Sequence, residues 1–502
     1  MNFQKNVAFK ISAVLALCSV LIYTTQCQKK FEGESFSPSS LPQPNIKTIS
    51  VNNGGALYCS ISGGCPIIIT GDNFFINSKI FIGPYECIDS VHSDDFKTIT
   101  CTAGPGQNGV YDISVRNSDG QVSKLDSTIT DPTTVQFSYA SFLYLGSQET
   151  PGKVYGYAQN PVTGALLTIV NSPFSIASSA DSTYGVAIHP NNKFIYAANV
   201  SSASVSTYSI SPTTGKLTAV GPAVLAGANG TNGLFFHPSG NFLYATNQSG
   251  NSITGFNVAT DGTISIMAGS PFATTGASSI NGLVVSSDGQ FLYAASMGGT
   301  GGVAGFTINQ GTGFLTLIPG SPFKNTLGGD GTNPGDGISI HPNGLWLYMG
   351  LVGLRKIAGW NIDQMTGVLT AIEPPILNNA TTGYVDNGGS ASTVSADGLF
   401  LYGTAFSTNA AHPKMIVVYS IDPVTGGLTR SSEAATGGGP NDVRIDTTGS
   451  FAYTCNSMNT PSVSGFSVNK TTGALTALSP ANYTIPTGSG GPGIMVMQRN
   501  LQ

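Results

Sequence analysis

One phrase recurs seven times in the later part of this chain, and that recurrence limits the possible folds more than any other feature. "FLY", or a close variant, places Tyr144, Tyr196, Tyr244, Tyr293, Tyr348, Tyr402 and Tyr453 at intervals of 48 to 55 residues. A second phrase, "TGxLT" or a relative, places Gly164, Gly215, Gly262, Gly313, Gly367, Gly426 and Gly473 in the same rhythm. Between the two lies an alternating segment such as "SITGFNVA" or "KIAGWNID", and a further apolar segment such as "GVAIHP" or "GISIHP" leads back to the next "FLY". Four short strands per period of about fifty residues specify a β-propeller blade. A lone blade cannot bury both faces of its sheet, but a ring of them can. The channel-side strand is the "GISIHP" type, followed outward by "FLY", "AGWNI" and "LT". The first repeat lacks a channel-side strand and the chain finishes with "GGPGIMVMQ". The ring is therefore expected to close by pairing its two ends, which removes the open sheet edges.

Composition agrees with an all-β chain. Only 9% of the 502 residues are charged, against roughly 25% in an average globular protein, and 64 are glycine. A net charge of −5, thinly spread, gives no basic footprint for nucleic acid.

The same topology assigns the histidines. In an up-and-down blade the first-to-second and third-to-fourth turns share one face, here called lower, so "HPNG" and "TG" lie together. His189, His237 and His341 occupy one turn in three blades, and the other blades carry Ser286, Ser395, Asp446 and Met497 there. A position that accepts all of these is a turn device, with Pro and Gly setting its dihedrals. His412 matches the repeat only by accident.

The N-terminus carries Lys5, Lys10 and an apolar run over residues 11–23. That run is short for a membrane span and suits the core of a secretory signal. Cys27, in "TTQCQKK", resembles the acylation site of a bacterial lipoprotein, although Gln26 is bulkier than the small residue usual before it; a plain cleaved signal is the alternative. The expected organisation is a signal over 1–27, a flexible tether over 28–43, a β-sandwich over 44–131, a linker over 132–140 and a closed seven-bladed propeller over 141–502. Export is the implied route, to a lipid-anchored place in the cell envelope (outer membrane or surface) or otherwise to the periplasm or medium.

The sandwich is read from short alternating strands, "PIIITG", "SKIFIG", "KTITCTA" and "YDISVRN", separated by Gly, Asn and Asp turns. Its four cysteines in an exported chain read as disulfides rather than metal ligands. Cys59 and Cys65, close together across "SISGG", suit a bridge closing a small loop. The segments "IIITGDNF", "IFIGPYEC", "ITC" and "GVYDISVRNSDG" resemble the IPT/TIG family of immunoglobulin-like domains. That resemblance implies a bridge between Cys87 and Cys101 and a role as spacer or binding platform.

A ligand is expected on the upper face, built from outer-to-inner connections and second-to-third loops. These loops are rich in Gly, Ser, Thr and Asn. Tyr184, Asn232, Asn281, Asn333, Asp336, Asn387 and Asn441 are the candidate ligand-binding residues. Charge is confined to Asp181, Asp330, Asp336, Asp386, Asp442, Arg444, Arg355 and Lys356. Such a mouth suits hydrogen bonding to a glycan, a peptide, or an envelope or host protein. No cofactor motif is present; "GGDGTNPGDG" is oxygen-rich enough for calcium but lacks EF-hand spacing. Cys455, in "FAYTCNS", reads as a buried strand residue.

The repeats, through "HPNGLWLY", "FLYATNQSGNSITGFNV", "TGKLTAV" and the "GSPF" loops, resemble the seven-bladed lactonase family, which includes 6-phosphogluconolactonases and muconate cycloisomerases. Active relatives often lead an inner strand with Gly-Pro-Arg-His. Here the segment is "GGPNDVRID", where Gly439 and Pro440 agree and Asn441 and Asp442 replace the basic pair. A hydrolase on this scaffold would use Asp442 or Asp336 as general base and Arg444 to stabilise an oxyanion. Whether the chain is an enzyme stays open at this point. A binding platform on an immunoglobulin-like spacer, a lactone hydrolase working outside the cytoplasm, and a structural part of an envelope assembly are the three readings.

Overall fold

A computed structural model describes residues 42–498, apart from 52–57, 126–135, 177–180, 299–301, 325–336, 352–355, 378–390, 406–413, 459–460 and 486–490. Among the described residues all regular structure is strand or turn, and none is helix. Cys27, Asn333, Asp336 and Asn387 lie outside the described residues, as do Asp330, Arg355, Tyr384, Asp386 and His412.

The N-terminal unit is a sandwich of two five-stranded sheets. One runs Ile88–His92, Thr98–Thr102, Pro66–Asp72, Asn45–Val51, Lys124–Leu125, and the other Tyr58–Ser60, Gln136–Ala140, Gly109–Arg116, Lys79–Ile82, Tyr85–Glu86. Alternation places Ile67 and Ile69 on the buried face with Ile80, Ile82, Ile99, Val115 and Phe137. Both disulfides, Cys59–Cys65 and Cys87–Cys101, lie in this core. One boundary needs correction. Residues 136–140, expected in a linker, form a strand that pairs antiparallel with Gly109–Arg116 and parallel with Tyr58–Ser60. Only Ser141, fully buried, separates this strand from the first propeller strand, Phe142–Ser147.

Seven antiparallel sheets follow, each with four strands in radial order, and in blades 1 to 3 a short fifth strand also pairs with the third. The last strand, Pro492–Met497, is the innermost strand of blade 1 and pairs with Phe142–Ser147, closing the ring. The second strands Phe142–Ser147, Phe242–Asn247 and Trp346–Leu351 are buried at every position. A blade covered by a neighbour on each side has no wet face, so these strands read as continuous apolar runs. The two faces separate cleanly in blade 1. Phe142 and Tyr144 pack with Ile195 and Ala197 of blade 2, whereas Leu143 and Leu145 pack with Tyr453 and Cys455 of blade 7.

The two repeated phrases meet across each blade boundary. The Tyr144 hydroxyl donates to the Gly215 carbonyl of the next blade at 2.6 Å, Tyr196 to Gly262 at 2.8 Å, Tyr244 to Gly313 at 2.7 Å and Tyr293 to Gly367 at 2.8 Å. Tyr348 reaches Gly426 at 2.7 Å, and Tyr453 reaches Gly164 at 2.6 Å across the closure. In blade 6 the Tyr402 hydroxyl is buried without such a partner. The accepting glycines have positive φ, for example +68° at Gly426, where a Cβ would lie 2.6 Å from the Trp346 ring of the preceding blade. Conformation and space both require glycine there.

The histidines form a second inter-blade set. Nε2 of His189, His237 and His341 bonds the turn carbonyls of Gly240, Gly289 and Gly398 in the next blade, at 3.1, 3.2 and 2.9 Å. Nδ1 accepts a backbone N–H two residues ahead in each case. Burial pushes the pKa of His189 and His237 down, which favours the neutral imidazole that this pattern needs. The blade 1 counterpart is Gln498 rather than Met497. Gln498 N–H donates to the Phe142 carbonyl as His189 N–H does to that of Phe194, while Met497 pairs with Leu143 one step earlier.

The sandwich docks on this lower face, on blades 7, 1 and 2. Ser60 N–H donates to the Pro212 carbonyl at 2.9 Å, and Ser60 Oγ to Gln498 Oε1 at 3.1 Å. Asn108 donates to Gln159 Oε1 at 3.0 Å, and Gln159 in turn to Asp446 Oδ2 at 3.1 Å. Ser60, Asn108, Gln159, Asp446 and Gln498 are buried, so moving the sandwich away would expose a satisfied polar network to competition and leave partners unpaired.

The tyrosine bond makes a measurable forecast. Tyr196→Phe should lower the unfolding free energy by about 1–3 kcal/mol, because a buried carbonyl loses its donor, and Gly426→Ala by more. Tyr402→Phe should cost far less. Urea unfolding of the three variants checks this, and equal losses for Tyr196→Phe and Tyr402→Phe would remove the bond as the source.

Candidate functional site

The upper mouth is set by how closely the inner strands approach one another. In register with the seven tyrosines, the inner strands place Ala187, Phe235, Val284, Ser339, Thr393, Arg444 and Val496. Two residues earlier stand Gly185, Gly233, Gly282, Gly337 and Ala391 in blades 2 to 6, Asp442 in blade 7 and Ile494 in blade 1. A Cβ at Gly233 would fall 2.5 Å from the Asn281 carbonyl of the next inner strand, and one at Gly337 2.8 Å from Ser392 N. In blades 2 to 6 the neck of the ring therefore holds small residues, and blade 7 alone places a charged side chain at this position.

Asp442 and Arg444 grip the backbone of one residue, Met495, on both its sides. Met495 N–H donates to Asp442 Oδ2 at 3.0 Å, and Arg444 Nε donates to the Met495 carbonyl at 2.9 Å. The two side chains also form an ion pair at 3.1 Å. Asp442 Oδ1 accepts Val443 N–H at 2.9 Å, and the residue is 4% exposed. The Arg444 side chain is 34% exposed and is the part of the pair that meets solvent. Burial raises the Asp442 carboxyl pKa, although Arg444 and the Met495 and Val443 N–H groups pull the other way. Beside them the buried Cys455 thiol donates to the Gly493 carbonyl at 3.0 Å, and burial pushes its pKa up strongly.

The ligand candidates fall into two groups. At the closure, Asn441 Nδ2 lies 3.4 Å from the Tyr184 hydroxyl and 3.4 Å from the Pro492 and Gly493 carbonyls, so blades 7 and 2 meet over the inner strand of blade 1. On blades 3 and 4, Asn232 donates to Gln248 Oε1 at 2.9 Å and Asn281 to Met297 Sδ at 3.1 Å. Gln248 Nε2 also approaches Met297 Sδ, at 3.9 Å. Gln248 and Met297 were not among the sequence candidates; their only signal is their position at the upper ends of the second strands, Gln248 just after Phe242–Asn247 and Met297 near the end of Phe291–Gly298. Asn232 and Asn281 are themselves largely buried, which makes them supports for Gln248 and Met297.

Asp181 is a loop organiser. It accepts the N–H groups of Ser182, Ser201 and Ser202 at 2.8, 2.7 and 2.9 Å. Burial raises its pKa, but these hydrogen bonds outweigh it and the net shift is downward. Among the described residues no group of three or more His, Cys, Asp or Glu is placed to hold a metal ion, and most of the glycine-aspartate loop weighed for calcium lies outside them. What the described mouth offers is amide, phenol and one guanidinium: groups that bind hydroxyl and carbonyl oxygens without exchanging protons at neutral pH.

Comparison with known proteins fits this architecture. The chain matches the family described as lactonase, 7-bladed beta-propeller, over residues 97–230, 187–373 and 332–489, and the IPT/TIG domain over residues 44–137. Solved structures of the same fold include a protein described as a 6-phosphogluconolactonase from Bacteroides fragilis, at 19% identity and TM-score 0.59, covering 74% of this chain and 99% of that one. A protein from Bacteroides uniformis, given the same description, aligns at 18% identity and TM-score 0.57, covering 71% and 99%. The periplasmic gluconolactonase of Pseudomonas aeruginosa aligns at 17% identity and TM-score 0.58, covering 72% and 99%. No curated protein matches the chain. With family matches spanning residues 97–489, the chain belongs to the seven-bladed lactonase propeller family and carries an IPT/TIG domain ahead of its propeller.

Proposed function

We propose that this protein is an exported, lipid-anchored envelope component whose propeller binds a neutral, hydroxyl-rich ligand such as a glycan at its upper mouth. The observation that carries the reading is the engagement of Asp442. The one buried acid at the described neck is committed to the Met495 backbone and to Arg444, while Tyr184, Asn441 and Gln248 supply neutral hydrogen-bonding groups. A general base must present a carboxylate oxygen to the proton it takes. A peptide or an envelope or host protein is the alternative occupant. Anchoring rests on the short apolar segment followed by Cys27.

Lactone hydrolysis outside the cytoplasm is the second reading, favoured by family membership and by the exposed part of Arg444, which is placed to meet a carbonyl oxygen. On this reading Asp442 acts by holding Arg444, and Asp336 is the remaining candidate base.

Three measurements follow. Purified protein, beside an Asp442→Asn/Arg444→Ala variant, is assayed on a panel of lactones including 6-phosphogluconolactone. The binding reading expects no turnover above the variant, together with retention on a glycan array that Tyr184→Ala reduces; turnover abolished in the variant would replace it with the hydrolase. Palmitate labelling should appear in cells and vanish in Cys27→Ser, and labelling that persists would remove Cys27 as the anchor. Finally, an acid whose pKa is raised on folding binds its proton more tightly in the folded state, so its ionisation costs stability as pH rises above the unfolded value. The difference in unfolding free energy, Asp442→Asn minus wild type, should therefore grow more positive between about pH 4 and about pH 7. A flat difference would mean that Asp442 ionises alike in both states.

A further inference from the structure

The third-to-fourth turns of the blades share one construction. Asp363 Oδ1 accepts the N–H groups of Met365 and Thr366 at 3.0 and 2.8 Å, Asp422 those of Val424 and Thr425 at 3.0 and 2.8 Å, and Asn469 those of Thr471 and Thr472 at 3.0 and 3.1 Å. In these three turns the tip residue contributes only its backbone N–H, so the turn sets no requirement on its side chain. Blades 2, 4 and 7 carry Thr213, Gly311 and Thr471 at the tip. Blades 5 and 6 carry Met365 and Val424, which are 91% and 83% exposed.

The first-to-second turns repeat the contrast. The residue before the second strand is Lys193, Asn241, Gln290 and Ser450 in blades 2, 3, 4 and 7, but Leu345 and Leu399 in blades 5 and 6, 41% and 48% exposed. Hydrogen bonds tie these four turns into one surface: Gln364 to the Gly344 carbonyl at 3.0 Å, His341 to Gly398 at 2.9 Å and Tyr348 to Gly426 at 2.7 Å. Blade 1 also has an exposed apolar tip, Val162, but its companion position is the buried Ser141 beneath the sandwich. Among the described residues the sandwich makes its hydrogen bonds to blades 1 and 2 of this face and through Gln159 reaches blade 7, not blades 5 and 6.

Asp363, Asp397 and Asp422 lie among the four apolar tips, and the turns contain no Lys or Arg. Backbone N–H groups of Thr366 and Thr425 hold Asp363 and Asp422 below the ordinary carboxylate range, so both remain anionic. An apolar patch ringed by fixed negative charge selects its occupant. A two-fold contact with a second copy would set carboxylate against carboxylate, and an anionic bilayer would repel the ring.

We propose that the lower face of blades 5 and 6 is a docking surface for a protein segment that presents apolar side chains flanked by Lys or Arg. The test uses the purified full chain and two labelled synthetic peptides, one of leucine and lysine and one of leucine and glutamate, read by fluorescence anisotropy. The leucine–lysine peptide should bind, and added salt should weaken it. Met365→Thr/Val424→Thr should reduce its affinity by about tenfold or more, while Val162→Thr leaves it unchanged. Because threonine already serves at these tips in blades 2 and 7, the variant keeps the turn, and an unaltered thermal transition verifies it. Equal affinity in the double variant would overturn the proposal. So would preferential capture of the leucine–glutamate peptide, binding to phosphatidylcholine vesicles that the double variant abolishes, or self-association in sedimentation that the double variant abolishes.

Discussion

The phenol of one blade reaching the glycine carbonyl of the next is the contact on which the rest of this propeller rests. It joins two residues about seventy positions apart in sequence, repeats around the ring, and works only if the acceptor has no Cβ and the donor strand is buried on both sides. Each such bond is modest once water is counted. Its larger effect is to fix the rotation of each blade against its neighbour, because a hydroxyl in a dry interface has one favourable partner. The imidazole and carboxamide contacts at the lower turns do the same nearer the axis, so the ring is registered at two radii. The upper mouth inherits its shape from that registration.

Much of this was legible because the repeat is driven by interfaces rather than by function. Tyrosine and glycine recur at fixed spacing since every blade meets a similar neighbour, and a periodic requirement leaves a periodic trace. The bond between them was not legible, for nothing in one dimension pairs Tyr196 with Gly262. The misplacement of the lower-turn position on Met497 instead of Gln498 has a related cause: blade 1 takes its strands from both ends of the chain, so no continuous phrase sets the register there. The strand Gln136–Ala140 was missed because it is short and its partners lie outside the repeat.

The candidate site was only partly readable. Asp442 and Arg444 stood out as charges on an inner strand, but their hold on Met495 depends on the closure of the ring and is invisible before the last strand is in place. Gln248 and Met297 carry no motif at all; position at the upper end of a second strand makes them part of the mouth. Charge draws attention in a sequence because it is costly to bury, and here the cost is offset by the backbone of the closing strand as much as by any partner ion. The same acid and base that would suggest chemistry serve in this geometry to hold the ring shut.

The closing strand also carries a consequence for the order of assembly. Gln498 receives the sandwich through Ser60 and the first blade through Phe142 N–H, and Met495 receives the seventh blade through Asp442 and Arg444. One short segment, residues 492–498, thus joins all three. A polypeptide emerging from its N-terminus completes the sandwich, with its own core and two disulfides, long before that segment exists. Blades accumulate meanwhile as an open arc with one unpaired edge. The seat for the sandwich lacks its Gln498 contact until that strand is made, so the ring and this part of the mount become complete in the same event.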